Sequence, residues 1–311
     1  MRILFSAPRE DWDDYREVLP AALERAGIKA EVIHDLEPAS PETIDYIVYA
    51  PSSLLRDFSP YTGAKAVLNL WAGVEAVVTN ETLTQPLARM VDPGLTEGMV
   101  EWCVAHCLRH HLGFDRDICR RDTVWDYYVP PLARERRVTI LGLGELGRAV
   151  GQALAALNFQ VTVWSRTQKD VAGLTCLSGD AGLVEALEAA EIVILLLPLT
   201  AATENLMNAA RLASLPKGAV LINPGRGPLI DDDALIAALD AGHLGHATLD
   251  VFREEPLPQT HPFWAHEKVT VTPHIASATR ASSAASVIAE NIRRGEAGEP
   301  FLHLVDRTQG Y

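Results

Sequence analysis

The chain predicts an α/β protein of two domains, each a doubly wound parallel sheet. Short apolar runs alternate with amphipathic stretches along its whole length. That is the rhythm of strand–helix–strand units with helices on both faces of a parallel sheet. Some runs, above all Ile192-Val-Ile-Leu-Leu-Leu197, are apolar without interruption, which suits a strand covered on both faces. With 311 residues, 48 % of them hydrophobic, the chain is long enough for two cores of ordinary size.

In order, residues 2–6 predict a strand and residues 13–26 a helix stopped by Gly27. Strands follow at 30–34, 46–49 and 66–70, the last running into Trp71-Ala-Gly-Val-Glu75. Asp92-Pro-Gly-Leu95 reads as a turn-rich break. Thr96 then caps a long helix to about Asp117. Residues 122–132, with Trp125, Tyr127, Tyr128, Pro130 and Pro131, read as an extended arm whose aromatics suit a partner subunit. The second unit predicts strands at 138–142, 160–164, 191–197, 219–222, 246–250 and 269–271, with helices at 145–158, 180–190, 203–214 and 231–241. A last helix at 278–294 and an irregular tail return to the first unit. The expected domains are therefore 1–96 plus 276–311, and 97–275.

Bulk properties exclude several classes. Lys plus Arg number 27 against 41 Asp plus Glu, a net charge of −14, which argues against nucleic acid or an anionic membrane as a general partner. Four cysteines make no disulfide framework and point to a reducing cytoplasm. The N-terminus lacks the apolar core of a signal peptide, and residues 192–197 are far too few to span a bilayer. The long helix carries Cys103, His106, Cys107, His110 and His111, but one helix cannot close a four-ligand zinc site, so no metal is expected.

The run Val138-Thr-Ile-Leu-Gly-Leu-Gly-Glu-Leu-Gly147 carries the first functional signal. It reads as strand, turn and helix with the spacing G-x-G-x-x-G. Gly142 permits the tight turn, Gly144 lets backbone approach a pyrophosphate, and Gly147 lets helix and strand pack closely. The phosphates would sit at the helix N-terminus. Where NAD-binding domains keep a carboxylate for the ribose hydroxyls, this chain has Ser165, Arg166 and Thr167, followed by Lys169. A hydroxyl and a guanidinium fit a 2′-phosphate, and no carboxylate repels it. NADP(H) is the expected cofactor, with NAD(H) the alternative.

Three further segments stand at or just after strand ends: Ile222-Asn-Pro-Gly-Arg226-Gly-Pro-Leu229, Leu249-Asp250-Val-Phe-Arg-Glu-Glu255-Pro256 and Val271-Thr-Pro-His274-Ile-Ala276. An Arg, a carboxylate and a His there suit a 2-oxo acid. His274 can give a proton to the carbonyl oxygen as hydride arrives, Glu255 can hold the imidazole and favour its charged form, and Arg226 can bind and polarise the substrate oxygens.

These motifs together resemble the D-2-hydroxyacid dehydrogenase family, and within it the glyoxylate/hydroxypyruvate reductase A branch. The likeness spans nearly the whole chain. It rests on the glycine fingerprint, N-x-x-R-G-x-L at 223–229, D-V-F-x-x-E-P at 250–256 and T-P-H-x-A at 272–276. The branch is marked by Trp164-Ser-Arg-Thr167, residues 269–279 and Val305-Asp-Arg-Thr-Gln-Gly-Tyr311. The resemblance implies two doubly wound domains of Rossmann-like and flavodoxin-like kind, a homodimer, and NADPH-dependent reduction of glyoxylate and hydroxypyruvate. Arg226, Glu255 and His274 would be catalytic. The cofactor would meet Gly142, Gly144, Glu145, Leu146, Gly147, Ser165, Arg166, Thr167, Leu197, Pro198, Asn223, Asp250 and His274. Trp71, Ala72, Gly73, Val74 and Arg226 would bind substrate, the loop through backbone N–H groups. One departure stands out: many relatives carry Ala or Ser before the Arg, where this chain has Pro224-Gly225. The alternatives are another enzyme of the family or a non-catalytic dinucleotide sensor, which the intact Arg–Glu–His set disfavours.

Overall fold

The structure is a computed structural model describing residues 1–35, 40–308 and 310. Gln309 and Tyr311 of the family-like tail lie outside the described residues. The chain divides into two units, Met1–Leu95 with Ala278–Tyr311, and Thr96–Ser277.

The first unit holds a five-stranded sheet in the order β2-β1-β3-β4-β5, from β1 (Arg2–Ser6), β2 (Glu31–His34), β3 (Tyr46–Tyr49), β4 (Ala66–Asn69) and β5 (Leu87–Ala88). All its pairings are parallel. Successive residues point to opposite faces. Ile3, Phe5, Tyr46, Val48 and Leu68 enter one apolar layer, while Leu4, Ile47, Tyr49 and Val67 enter the other. The predicted helix at 13–26 is two, α1 (Arg9–Tyr15) and α2 (Val18–Arg25). Pro20 explains the break. In one continuous helix its ring would strike the carbonyl four residues back, whereas restarting at Val18 puts it in a first turn, where its missing N–H costs nothing.

α3 (Pro93–Leu112) starts at the end of the first unit's opening segment and continues into the second unit, so the turn-rich break is the helix start itself. Asp92 Oδ1 accepts from the N–H groups of Gly94 and Leu95 at 2.8 and 3.1 Å, ahead of Thr96, and Pro93 occupies the first helical position. Gly113, at φ 69°, ends α3, and a short α4 (Phe114–Ile118) follows. Residues 121–132 form no helix or strand. Trp125 and Tyr127 are 93 % and 81 % exposed.

The strands that follow are β6 (Arg137–Leu141), β7 (Gln160–Ser165), β8 (Thr175–Ser178), β9 (Ile192–Leu195), β10 (Val220–Asn223), β11 (His246–Leu249) and β12 (Val269–Val271). They form a seven-stranded sheet in the order β12-β11-β10-β9-β6-β7-β8, again with every pairing parallel. Between them run α5 (Glu145–Ala156), α6 (Gly179–Glu188), α7 (Ala209–Ser214) and α8 (Asp232–Asp240). All four residues of central β9 are buried, as its unbroken apolar run requires. The strands β5 and β8 escaped the pattern reading, being two residues long and a half-exposed edge respectively. The helix expected from 203 begins only at Ala209, because Asn208 caps it by accepting from the Arg211 N–H. The last helix, α9 (Ala281–Ala297), runs past its expected end to Gly298, at φ 69°.

Cys103 and Cys107 lie buried in the apolar layer under α3. Burial pushes the Cys107 thiol up to about 12. No cluster of three metal-ligating side chains occurs among the described residues. No helix there is long and apolar enough to cross a membrane.

Candidate active site

Because every strand of the second sheet runs the same way, their carboxyl ends share one edge. The order reverses at β6, which pairs with both β7 and β9, and such a switch point opens a ligand crevice. The glycine turn leaves β6 there. Gly142 has φ 120°, and a Cβ on it would sit 2.4 Å from Leu196 O. A Cβ on Gly147 would sit 1.8 Å from Gly142 O, so the α5–β6 approach excludes any side chain. A Cβ on Gly144 would meet nothing within 4 Å. The protein itself does not require this glycine, and the open space beside the α5 N-terminus fits a pyrophosphate. Glu145 and Leu146 form the first turn of α5, and Glu145 pairs with Arg148.

At the end of β7, Ser165 is buried and its hydroxyl donates to Thr167 O at 2.8 Å. Arg166 and Thr167 are exposed. Gln168 ties this turn to β8, donating to Cys176 O and accepting from the Ser178 hydroxyl. Lys169 reaches back so that its Nζ donates to Leu143 O at 2.7 Å, setting an ammonium on the glycine turn. The donor set is cationic and lacks a carboxylate, which fits a 2′-phosphorylated dinucleotide.

Leu197 and Pro198 follow β9 and are half-buried. After β10, Asn223 folds the next turn: its Oδ1 accepts from Gly225 N at 3.1 Å and its Nδ2 donates to Arg226 O at 2.9 Å. The turn presents Arg226, whose Nη1 donates to Gly225 O at 2.7 Å. A Cβ on Gly225 would lie 2.8 Å from Leu195 O. The Ala or Ser of relatives would not fit this turn without a backbone shift.

After β11, Asp250 is fully buried. Its carboxylate accepts from the Thr272 hydroxyl at 2.6 Å and from the N–H groups of Ile275 and Ala276, both at 2.9 Å. It thereby clamps the loop after β12, which holds His274 at φ 54°, a left-handed conformation unusual for a residue other than glycine. His274 Nδ1 stands 2.7 Å from Glu255 Oε2, and Glu255 Oε1 accepts from Phe252 N at 2.8 Å. With Nδ1–H on the carboxylate, Nε2 is left for a substrate proton. The structure thus places His274 against Glu255 and sets Arg226 on the turn after β10. Asn223 and Asp250 have their side chains engaged in shaping these loops, which spacing alone does not disclose.

A family model, D-isomer specific 2-hydroxyacid dehydrogenase, NAD binding domain, matches residues 102–276. Glyoxylate/hydroxypyruvate reductase A of Serratia proteamaculans is 35 % identical over 321 residues, covering all of both chains. This chain belongs to the D-isomer specific 2-hydroxyacid dehydrogenase family. It is therefore an oxidoreductase of the NAD(P)-dependent kind. Among solved structures, a D-isomer specific 2-hydroxyacid dehydrogenase from Xanthobacter autotrophicus, in complex with NADPH and MES, is 40 % identical. It has a TM-score of 0.91 and covers 100 % of this chain and 99 % of its own. The NADPH-dependent glyoxylate/hydroxypyruvate reductase of Sinorhizobium meliloti, in complex with NADP and sulfate, is 34 % identical with a TM-score of 0.87 and the same coverage.

The other expected site residues stand in the first unit. Trp71 is 46 % exposed, Ala72 and Gly73 are half-buried, and Val74 is buried. They follow β4 directly, at its carboxyl end. Residues 71–74 belong to no helix or strand, which leaves their N–H groups outside any ladder.

Proposed function

We propose that this enzyme reduces short 2-oxo acids, glyoxylate and hydroxypyruvate first among them, with NADPH as the hydride source. The single observation that carries the reading is the pair of His274 and Glu255 at 2.7 Å, on a loop clamped by a buried Asp250. Gly142, Gly144, Glu145, Leu146 and Gly147 would hold the pyrophosphate, and Leu197, Pro198 and Asn223 would contact the rest of the bound dinucleotide. Ser165, Arg166, Thr167 and Lys169 favour a 2′-phosphate over a free ribose. Bound NADPH supplies the hydride to the carbonyl carbon of the oxo acid. Asp250 would act on the nicotinamide end through the loop it shapes, as the family resemblance implies. His274 Nε2 gives its proton to the carbonyl oxygen, and Glu255 stabilises the imidazolium until then. Arg226 binds carboxylate and carbonyl oxygens, and residues 71–74 receive the carboxylate on backbone N–H groups. The relatives named for glyoxylate and hydroxypyruvate support this substrate class.

The deciding experiment is a steady-state panel of short 2-oxo acids with NADPH and with NADH. Turnover of glyoxylate and hydroxypyruvate, faster with NADPH, is expected. Turnover of none of them would sink the reading. Tight NADPH binding without turnover would favour a dinucleotide sensor.

We infer that the enzyme acts as a homodimer. The exposed Trp125, Tyr127, Val129 and Leu132 form an apolar arm of the kind that a second subunit covers.

A further inference from the structure

β4 ends on a polar residue at the close of an apolar strand. Asn69 is 1 % exposed. Its Nδ2 donates to two carbonyls of the segment that follows, Trp71 O at 2.7 Å and Gly73 O at 2.9 Å. Trp71 O also accepts from Met90 N at 3.1 Å. A trans peptide is planar, and its C=O and N–H lie on opposite sides. Drawing Trp71 O and Gly73 O towards Asn69 therefore turns the N–H groups of Ala72 and Val74 away from it. Among the described residues, no protein acceptor takes the N–H of Ala72, Gly73 or Val74. Asn69 Oδ1 is itself buried without a partner. Burying an amide with an orphan acceptor costs stability. An apolar side chain would avoid that cost, so the two donated bonds are the reason for this residue.

We propose that Asn69 is the positioning residue of the carboxylate subsite, holding the 71–74 backbone so that Ala72 and Val74 offer their N–H groups to the carboxylate of a 2-oxo acid. This rests on reading residues 71–74 as the carboxylate loop. Asn69 acts through that backbone. The choice of side chain follows from the donor count: one amide nitrogen carries two N–H bonds, a serine hydroxyl has one, and an ionised aspartate has none.

The test compares wild type with Asn69→Ala and Asn69→Ser. The first probe is oxamate, a non-reducible isostere of a 2-oxo acid, titrated in the presence of NADPH and followed by amide NMR. In wild type, the Ala72 and Val74 amides are expected to shift. In Asn69→Ala, oxamate affinity should fall about tenfold, as the loss of one or two hydrogen bonds implies. NADPH affinity should stay within about twofold. In turnover of glyoxylate, KM should rise about tenfold with kcat changed less than about threefold. Asn69→Ser, which keeps one donor, should fall between, and it takes over the test if Asn69→Ala does not fold. Unchanged oxamate affinity and KM would overturn the proposal. So would a parallel loss of NADPH affinity, the mark of a merely structural residue. If the wild type reduces no 2-oxo acid, the proposed function fails, but the titration still decides on Asn69. Shifts at Ala72 and Val74 that weaken in both variants support the assignment, and a wild type without such shifts refutes it.

Discussion

His274 is the residue whose replacement should separate chemistry from binding. Its imidazole is held by Glu255 at 2.7 Å and its backbone by Asp250 O at 2.8 Å. Glutamine keeps much of the size without a transferable proton. His274→Gln should lower kcat by about 10²- to 10⁴-fold while NADPH affinity stays within about twofold. Stopped-flow turnover and fluorescence titration measure the two, and equal losses would remove the acid role. Ser165 is the corresponding probe of cofactor choice. Ser165→Asp puts a carboxylate where the 2′-phosphate is proposed to lie, so preference should move about a hundredfold from NADPH towards NADH. Ratios of kcat/KM for the two cofactors report it; an unchanged ratio would dissociate Ser165 from the phosphate.

The helix α5 and the strand β6 depend on one contact between glycines. A methyl on Gly147 would fall 1.8 Å from Gly142 O, where neither backbone can yield cheaply. Gly147→Ala should therefore cost at least about 2 kcal/mol of stability and weaken NADPH binding as well. Urea unfolding and cofactor titration check both; a neutral substitution would show that the turn is more adaptable than its geometry. The start of α3 depends likewise on one side chain. Asp92 Oδ1 takes two N–H groups of the first turn. Asp92→Ala should cost about 1–2 kcal/mol in the same unfolding assay, and Asp92→Asn much less.

The second unit as a whole carries a built-in acid sensitivity. His110 and His246 stand with rings 5.0 Å apart, their Nε2 atoms bonded to the Thr248 and Thr270 hydroxyls at 2.8 Å. Burial first, then His246 and Arg109 beside it, pushes His110 down to about 3; burial, then Arg109, pushes His246 down to about 4. Both are neutral in the folded and unfolded chain about a pH unit or more above 6.5, so they contribute nothing there. Below it the unfolded chain takes up protons that the folded one refuses, and stability falls from about pH 6.5 towards about pH 4. At pH 5.5 the loss is roughly 1 kcal/mol for each histidine. His246→Asn should flatten that slope in urea unfolding across pH 5–7; an unaltered slope would assign the acid sensitivity elsewhere. The proposed dimer is tested by light scattering, where Trp125→Ser with Tyr127→Ser should turn a dimer into a monomer. A monomeric wild type would refute it.

By itself the sequence determined the strands of both sheets other than β5 and β8, the glycine turn and the strand-end segments that carry Arg226, Glu255 and His274, because these rest on short-range pattern: unbroken apolar runs, glycine spacing and strand-end motifs. It did not determine where helices begin when a single side chain decides it, as Asp92, Pro20 and Asn208 do. Nor did it reveal the edge strands β5 and β8, too short or too exposed for a pattern. The supports of the site came only from tertiary structure. In the sequence Asn69 is one polar residue within the apolar run 66–70, with nothing to mark it, and Asp250 reads as a possible cofactor contact. Only the folded chain brings Asn69 under the carbonyls of Trp71 and Gly73, and Asp250 under the loop of His274. The physical reason is that a hydrogen bond's worth depends on which partners the fold brings within 3 Å and on the water it excludes around them.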